Sequence, residues 1–95
     1  MITVKVRPLF NLKRIIGSSE LTLKLKEGST IRDLIYVLVE RYGDELEKLL
    51  LKGGDEGKRN IAIFVNGRLI DFIDGDATRL SDGDVVSMIP PAGGG

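Results

Sequence analysis

The chain has 95 residues, 14 Lys plus Arg against 14 Asp plus Glu, and 42% hydrophobic with 29% charged residues. That is enough for one small domain, with the composition of a folded soluble protein. Neither Cys nor His is present, which excludes disulfides, thiol catalysis, Cys/His metal sites and Ser-His or Cys-His nucleophiles, and the zero net charge argues against a general nucleic-acid binder.

No apolar run approaches the roughly 18–20 residues of a membrane span. The sequence opens directly on a strand-like pattern with no leader to remove, so no membrane role and a cytoplasmic location are expected. Ile2, Val4 and Val6 alternate with Thr3, Lys5 and Arg7, the period of a half-buried strand, which Pro8 stops. Leu9 to Ile16 carries apolar residues at helical spacing but is short. A turn or a single helical turn ending at Gly17 is expected there. Leu21, Leu23 and Leu25 alternate again, and the short connection makes this second strand an antiparallel partner of the first.

The clearest helix follows. Thr30 stands as N-cap with Asp33 at the third helical position, close to a capping box. Ile31, Leu34, Ile35, Leu38, Val39 and Tyr42 then form one apolar stripe, and Gly43 is a natural stop. Asp44 is expected to cap a shorter helix carrying Leu46, Leu49 and Leu50. The segment 52–60 is polar and Gly-rich. Lys58 is followed there by Arg59 and a strand, not by the Ser/Thr and helix of a phosphate-binding loop, so it reads as a connection.

Ile61, Ile63 and Val65 alternate with Ala62 and Phe64. Asn66-Gly67 is a strong hairpin signal, because both turn positions need φ > 0. Arg68 to Ile73 is expected to return as a strand. Two Asp-rich turns follow, Asp74-Gly75-Asp76 and Ser81-Asp82-Gly83-Asp84, with Leu80 packed inward between them. Asp71, Asp74, Asp76, Asp82 and Asp84 lack the spacing and final Glu of a calcium loop, and turn chemistry accounts for them. No metal site is expected. Val85 to Ile89 is the last strand. It runs into Pro90-Pro91 and then Ala92-Gly93-Gly94-Gly95, a stiff step followed by a thread with almost no side chains.

One main amphipathic helix has one sheet to cover, so an α+β fold is expected: a mixed sheet of four to five strands under that helix. A first hairpin joined through the helix to the last strand, parallel to the first, is the β-grasp arrangement. Residues 1–90 are read as one domain and 91–95 as a flexible C-terminal tail. Alternation places Ile2, Val4, Val6, Ile61, Ile63, Val65, Val86 and Met88 toward the helix. Phe64, Val85, Ile89 and Ala62 then lie on the open face beside Lys5 and Arg7, as an exposed partner patch close to the tail.

Val65-Asn66-Gly67, Leu80-Ser81-Asp82-Gly83-Asp84-Val85-Val86 and Ile89-Pro90-Pro91-Ala92-Gly93-Gly94-Gly95 together resemble the MoaD/ThiS family of ubiquitin-like sulfur carriers. The resemblance is stronger to the MoaD branch, the small subunits of molybdopterin synthase. Two departures stand out. The tail ends in three Gly where the family needs two, and the segment from Asp44 to Asn60 is longer than in the shortest members, which points away from the ThiS type.

The resemblance implies a protein that is no catalyst on its own. The Gly95 carboxylate would be adenylated by a MoeB-like adenylyltransferase of the ubiquitin-activating type, which uses ATP and Mg²⁺; no cofactor is expected on this chain. A persulfide donor would turn the adenylate into a thiocarboxylate. A MoaE-like large subunit would accept the tail and pass its sulfur to cyclic pyranopterin monophosphate. Gly94 would stay small so that Gly95 can be reached. Phe64, Ile89, Val85 and Arg7 would meet the partner. The alternatives are a sulfur carrier for tRNA thiolation or thiamine synthesis, a ubiquitin-like modifier joined through Gly95 to lysines, and a plain interaction domain.

Overall fold

The computed structural model describes residues 1–50 and 61–90. Alternating β-branched residues build the first strand, β1 (Ile2–Pro8), with Ile2, Val4 and Val6 buried. A tight turn leads into α1 (Asn11–Ile16), which ends at Gly17 in the left-handed conformation, φ 84°. The chain returns as β2 (Leu21–Leu25), antiparallel to β1 with Ile2 opposite Leu25 and Val6 opposite Leu21.

Next comes α2 (Ile31–Tyr42), opened by the expected capping box: Asp33 N–H donates to the Thr30 hydroxyl and Thr30 N–H donates to the Asp33 carboxylate. This helix contains Ile31, Ile35, Val37 and Val39, residues of weak helix propensity costing up to ~0.7 kcal/mol each. Burial outweighs that. Ile31, Leu34, Ile35 and Leu38 have no exposed surface, and each such side chain contributes about 1.5–3 kcal/mol. Val39 and Tyr42 lie half-buried at the edge of the stripe. Gly43 ends α2, and α3 (Asp44–Leu50) follows at once, burying Leu46 and Leu50. Asp44 is the first residue of α3 and not its cap. The Gly43 carbonyl already accepts from Glu47 N–H at 3.1 Å, so the helix begins one residue earlier than its side chains suggest.

Beyond the Gly-rich segment 52–60, which lies outside the described residues, β3 (Ala62–Val65) turns through Asn66-Gly67 into β4 (Arg68–Leu69). Asn66 and Gly67 take φ of 52° and 86°, the values such a two-residue turn demands. The expected strand to Ile73 stops after Leu69. A 3-10 turn at Ile70–Phe72 replaces it, buries Ile70 and leaves Phe72 exposed, and a second spans Gly75–Ala77. The last strand is β5 (Val85–Ile89).

The sheet has five strands in the order β2-β1-β5-β3-β4, with β5 parallel to β1 and antiparallel to β3. This is the β-grasp topology. One inward row runs Leu21, Val6, Val86, Val65 across four strands. Val6 and Val86 are wholly buried, as are Val4 and Met88. The helices close this face, and α1 adds Leu12 and Ile16 to the buried set. No helix among the described residues is long and apolar enough to cross a membrane.

Candidate functional site

The strand that leads to the C-terminal residues is the central one of the five, held on both sides. The turn Ser81 to Asp84 starts it. Thr3 N–H donates to the Asp82 carboxylate at 2.7 Å, and Gly83 N–H donates back to the Thr3 carbonyl at 2.7 Å. Gly83 has φ 88°, so a side chain there would be strained. The Asp84 carboxylate accepts from Ser81 N–H at 2.7 Å and from the Asn66 side-chain amide at 2.9 Å. Lys5 N–H donates to the Asp84 carbonyl at 2.9 Å. Asp82 and Asp84 thus tie β5 to β1 and to the β3–β4 turn. Among the described residues no group of three or more acidic side chains is arranged to hold a metal ion.

The open face of the sheet carries the residues expected to meet a partner. Register sets Arg7, Ser87, Phe64 and Leu69 in one row across four strands. Lys5 stands beside Val85, and Ala62 beside Ile89. Phe64, Val85 and Ile89 are therefore gathered on two adjacent strands, with Arg7 on the next. All three apolar residues are half-buried where free exposure was expected; Phe64 lies between Ser87 and Leu69, Val85 beside Lys5, and Ile89 beside Ala62. Arg7 is exposed but engaged: its Nε donates to Glu20 Oε2 at 3.0 Å, and Lys5 Nζ lies 3.9 Å from the other oxygen. Nothing in the sequence pattern singles out Glu20. Only the strand register shows that it faces Arg7.

At the far end of β5, Leu9 N–H donates to the Met88 carbonyl at 3.0 Å, and Pro90 is buried. The exit of the strand is therefore flanked by the end of β1 and the start of β3. Pro91, Gly93, Gly94 and Gly95 lie outside the described residues.

Against known proteins, residues 9–95 match the ThiS family. The chain belongs to that family. It is 32% identical to small archaeal modifier protein 3 of Haloferax volcanii, over 97% of this chain and 98% of that protein. A protein of Archaeoglobus fulgidus assigned as a sulfur carrier is 41% identical over 73% of this chain and 77% of its own. Among solved structures, a Pyrococcus furiosus protein assigned as molybdopterin converting factor subunit 1 superposes with a TM-score of 0.79. It is 29% identical, covering 97% of this chain and 100% of that one. The relatives of this ThiS-family β-grasp protein thus include a modifier protein, a sulfur carrier and a converting-factor subunit.

Proposed function

We propose that this ThiS-family protein is a sulfur carrier for molybdopterin synthesis, working through the carboxylate of Gly95. The observation that carries the reading is the placement of β5. It is the middle strand of five, bonded to β1 and β3, and it ends at a buried Pro90. The five residues beyond, Pro91 to Gly95, can extend about 17 Å from that fixed point at roughly 3.3 Å each. They can thus reach a partner's recessed active site.

A carboxylate is a poor electrophile, so the chemistry needs activation. A carboxylate oxygen of Gly95 attacks the α-phosphorus of ATP on the partner adenylyltransferase, and pyrophosphate leaves. The terminal sulfur of a persulfide donor then attacks the acyl carbonyl and AMP leaves. A second thiol breaks the S–S bond, is oxidised to a disulfide with the donor, and releases the thiocarboxylate. No side chain at Gly94 or Gly95 obstructs these attacks. The open face with Phe64, Val85 and Ile89 seats the partner, and a MoaE-like subunit receives the charged tail. These steps belong to the cytoplasm.

A second reading is a protein modifier joined through Gly95 to lysine amines. Its support is the near full-length similarity to small archaeal modifier protein 3. One experiment separates the two. The chain is incubated with the adenylyltransferase, ATP, Mg²⁺ and a persulfide donor, and its intact mass is read. A gain of about 16 Da, sulfur for oxygen, supports the carrier. Conjugates on other proteins without that gain support the modifier, and no change in either assay sinks both.

A further inference from the structure

Phe10 is out of place on three counts. Its φ of 56° and ψ of −128° belong to a turn position normally given to Gly, and it lies in a turn closed by Leu12 N–H donating to the Leu9 carbonyl at 3.2 Å. The only other non-glycine residue with positive φ among those described is Asn66, whose side chain is bonded to Asp84 and Val85. Phe10 has no side-chain hydrogen bond to offset its conformation, and it is 75% exposed. Strain without local compensation, spent on holding an aromatic ring in water, marks a site used for something else.

Its surroundings say what. Leu9, also exposed, donates to the Met88 carbonyl two residues before Pro90, so Phe10 stands near the point where the chain leaves the described fold. Phe10, Lys13, Arg14, Gly17 and Ser18 line an open hollow of about 400 Å³. Lys13 and Arg14 have no ion-pair partner among the described residues, whereas Lys5 and Arg7 share Glu20. Their place in the last turn of α1 suits their charge, but nothing in the fold calls for Phe10.

We propose that Phe10, with Lys13 and Arg14, is a second docking element beside the tail, separate from the open sheet face. Its occupant is the adenylyltransferase that activates Gly95, which presents an apolar socket bordered by carboxylates. A ring planted next to the exit fixes the origin of the tail and aims it into the active site. Unpaired cations rim the contact and speed encounter. This inference rests on the carrier reading.

The test is steady-state adenylation of the full chain, read as ATP–pyrophosphate exchange with the chain as varied substrate. Phe10→Ala and Phe10→Gly are both expected to raise KM at least about tenfold with kcat nearly unchanged. Agreement between the two assigns the loss to the ring and not to the backbone. Lys13→Glu with Arg14→Glu should raise KM and flatten its dependence on salt. Tyr36→Ala is the control, since Tyr36 is exposed beside Met1, at the opposite end of β1. An unchanged KM in both Phe10 variants overturns the inference and leaves the carrier reading intact. Self-association of the chain that Phe10→Ala abolishes, at unchanged KM, assigns the ring to a second copy and overturns it too. Failure of the unsubstituted chain to support any exchange overturns the carrier reading and this inference with it.

Discussion

Asn66 and Val85 are bonded in both directions: Asn66 N–H donates to the Val85 carbonyl at 2.8 Å, and Val85 N–H donates to Asn66 Oδ1 at 2.9 Å. A turn residue thereby completes the ladder where β5 begins. The Asn66 side-chain amide also reaches Asp84. Asn66→Gly keeps the positive φ but loses the side-chain bonds, and should cost about 1–2 kcal/mol. Asn66→Ala loses the same bonds and adds left-handed strain of roughly 1 kcal/mol. Urea unfolding of the two variants checks the order, and an Ala variant as stable as the Gly variant would contradict the account.

Phe10 makes the opposite prediction. Phe10→Gly removes an exposed side chain and relieves its positive φ, so stability should rise by about 1 kcal/mol. Phe10→Ala keeps the unfavourable φ and should stay within about 0.5 kcal/mol of the parent. The same unfolding measurement decides. A Gly variant that loses stability would show that the ring is held by packing.

On the open face, Phe64→Asp should impair adenylation far more than folding. Phe64 is half-buried on the open face of the sheet, so the substitution should lower stability by no more than about 2 kcal/mol. If the partner seats here, the charge strands an unpaired carboxylate in an apolar contact. KM for the chain, measured beside thermal unfolding, separates the two effects.

Deleting Gly95, or replacing Gly94 by Phe, should abolish the mass gain and leave the melting temperature within a degree or two of the parent, about the size of ordinary surface effects. Both positions follow Pro90, the last residue of the described fold. A large drop in melting temperature would mean that the tail stabilises the domain.

Glu20→Gln should change stability by less than about 0.5 kcal/mol, since its partners Lys5 and Arg7 are half-exposed and water screens the pair. If the open face seats the partner, it should still alter binding at low salt, because it frees Lys5 and Arg7 there. Comparing KM at two ionic strengths tests this.

Much of the fold was legible because one face of each element is buried. Val4 and Val6 alternate, Ile31 to Leu38 recur every third or fourth residue, and both periods come straight from the geometry of strand and helix. Asn66-Gly67 and Thr30 to Asp33 name their own turn and cap. The run Leu69-Ile70-Asp71-Phe72-Ile73 is apolar enough to suggest a strand, in which Ile70 and Phe72 would share a face; the chain instead coils after Leu69, which buries Ile70 and exposes Phe72. Glu20 was invisible because its contacts lie 13 and 15 positions away from it in sequence, at Arg7 and Lys5, and depend on register. Phe10 was invisible for another reason: helical spacing from Leu9 to Ile16 says nothing about the dihedral angles of the residue that enters the turn.

The parallel pairing of β5 with β1 has a mechanical consequence. On the carrier reading, a load applied through the tail would act along the axis of β5, toward its C-terminal end. The bonds to β1 and to β3 lie across that axis, so the load meets them in shear and all together, and they cannot open one at a time. On the carrier reading, a domain drawn out of an active site by its own terminus would come away folded.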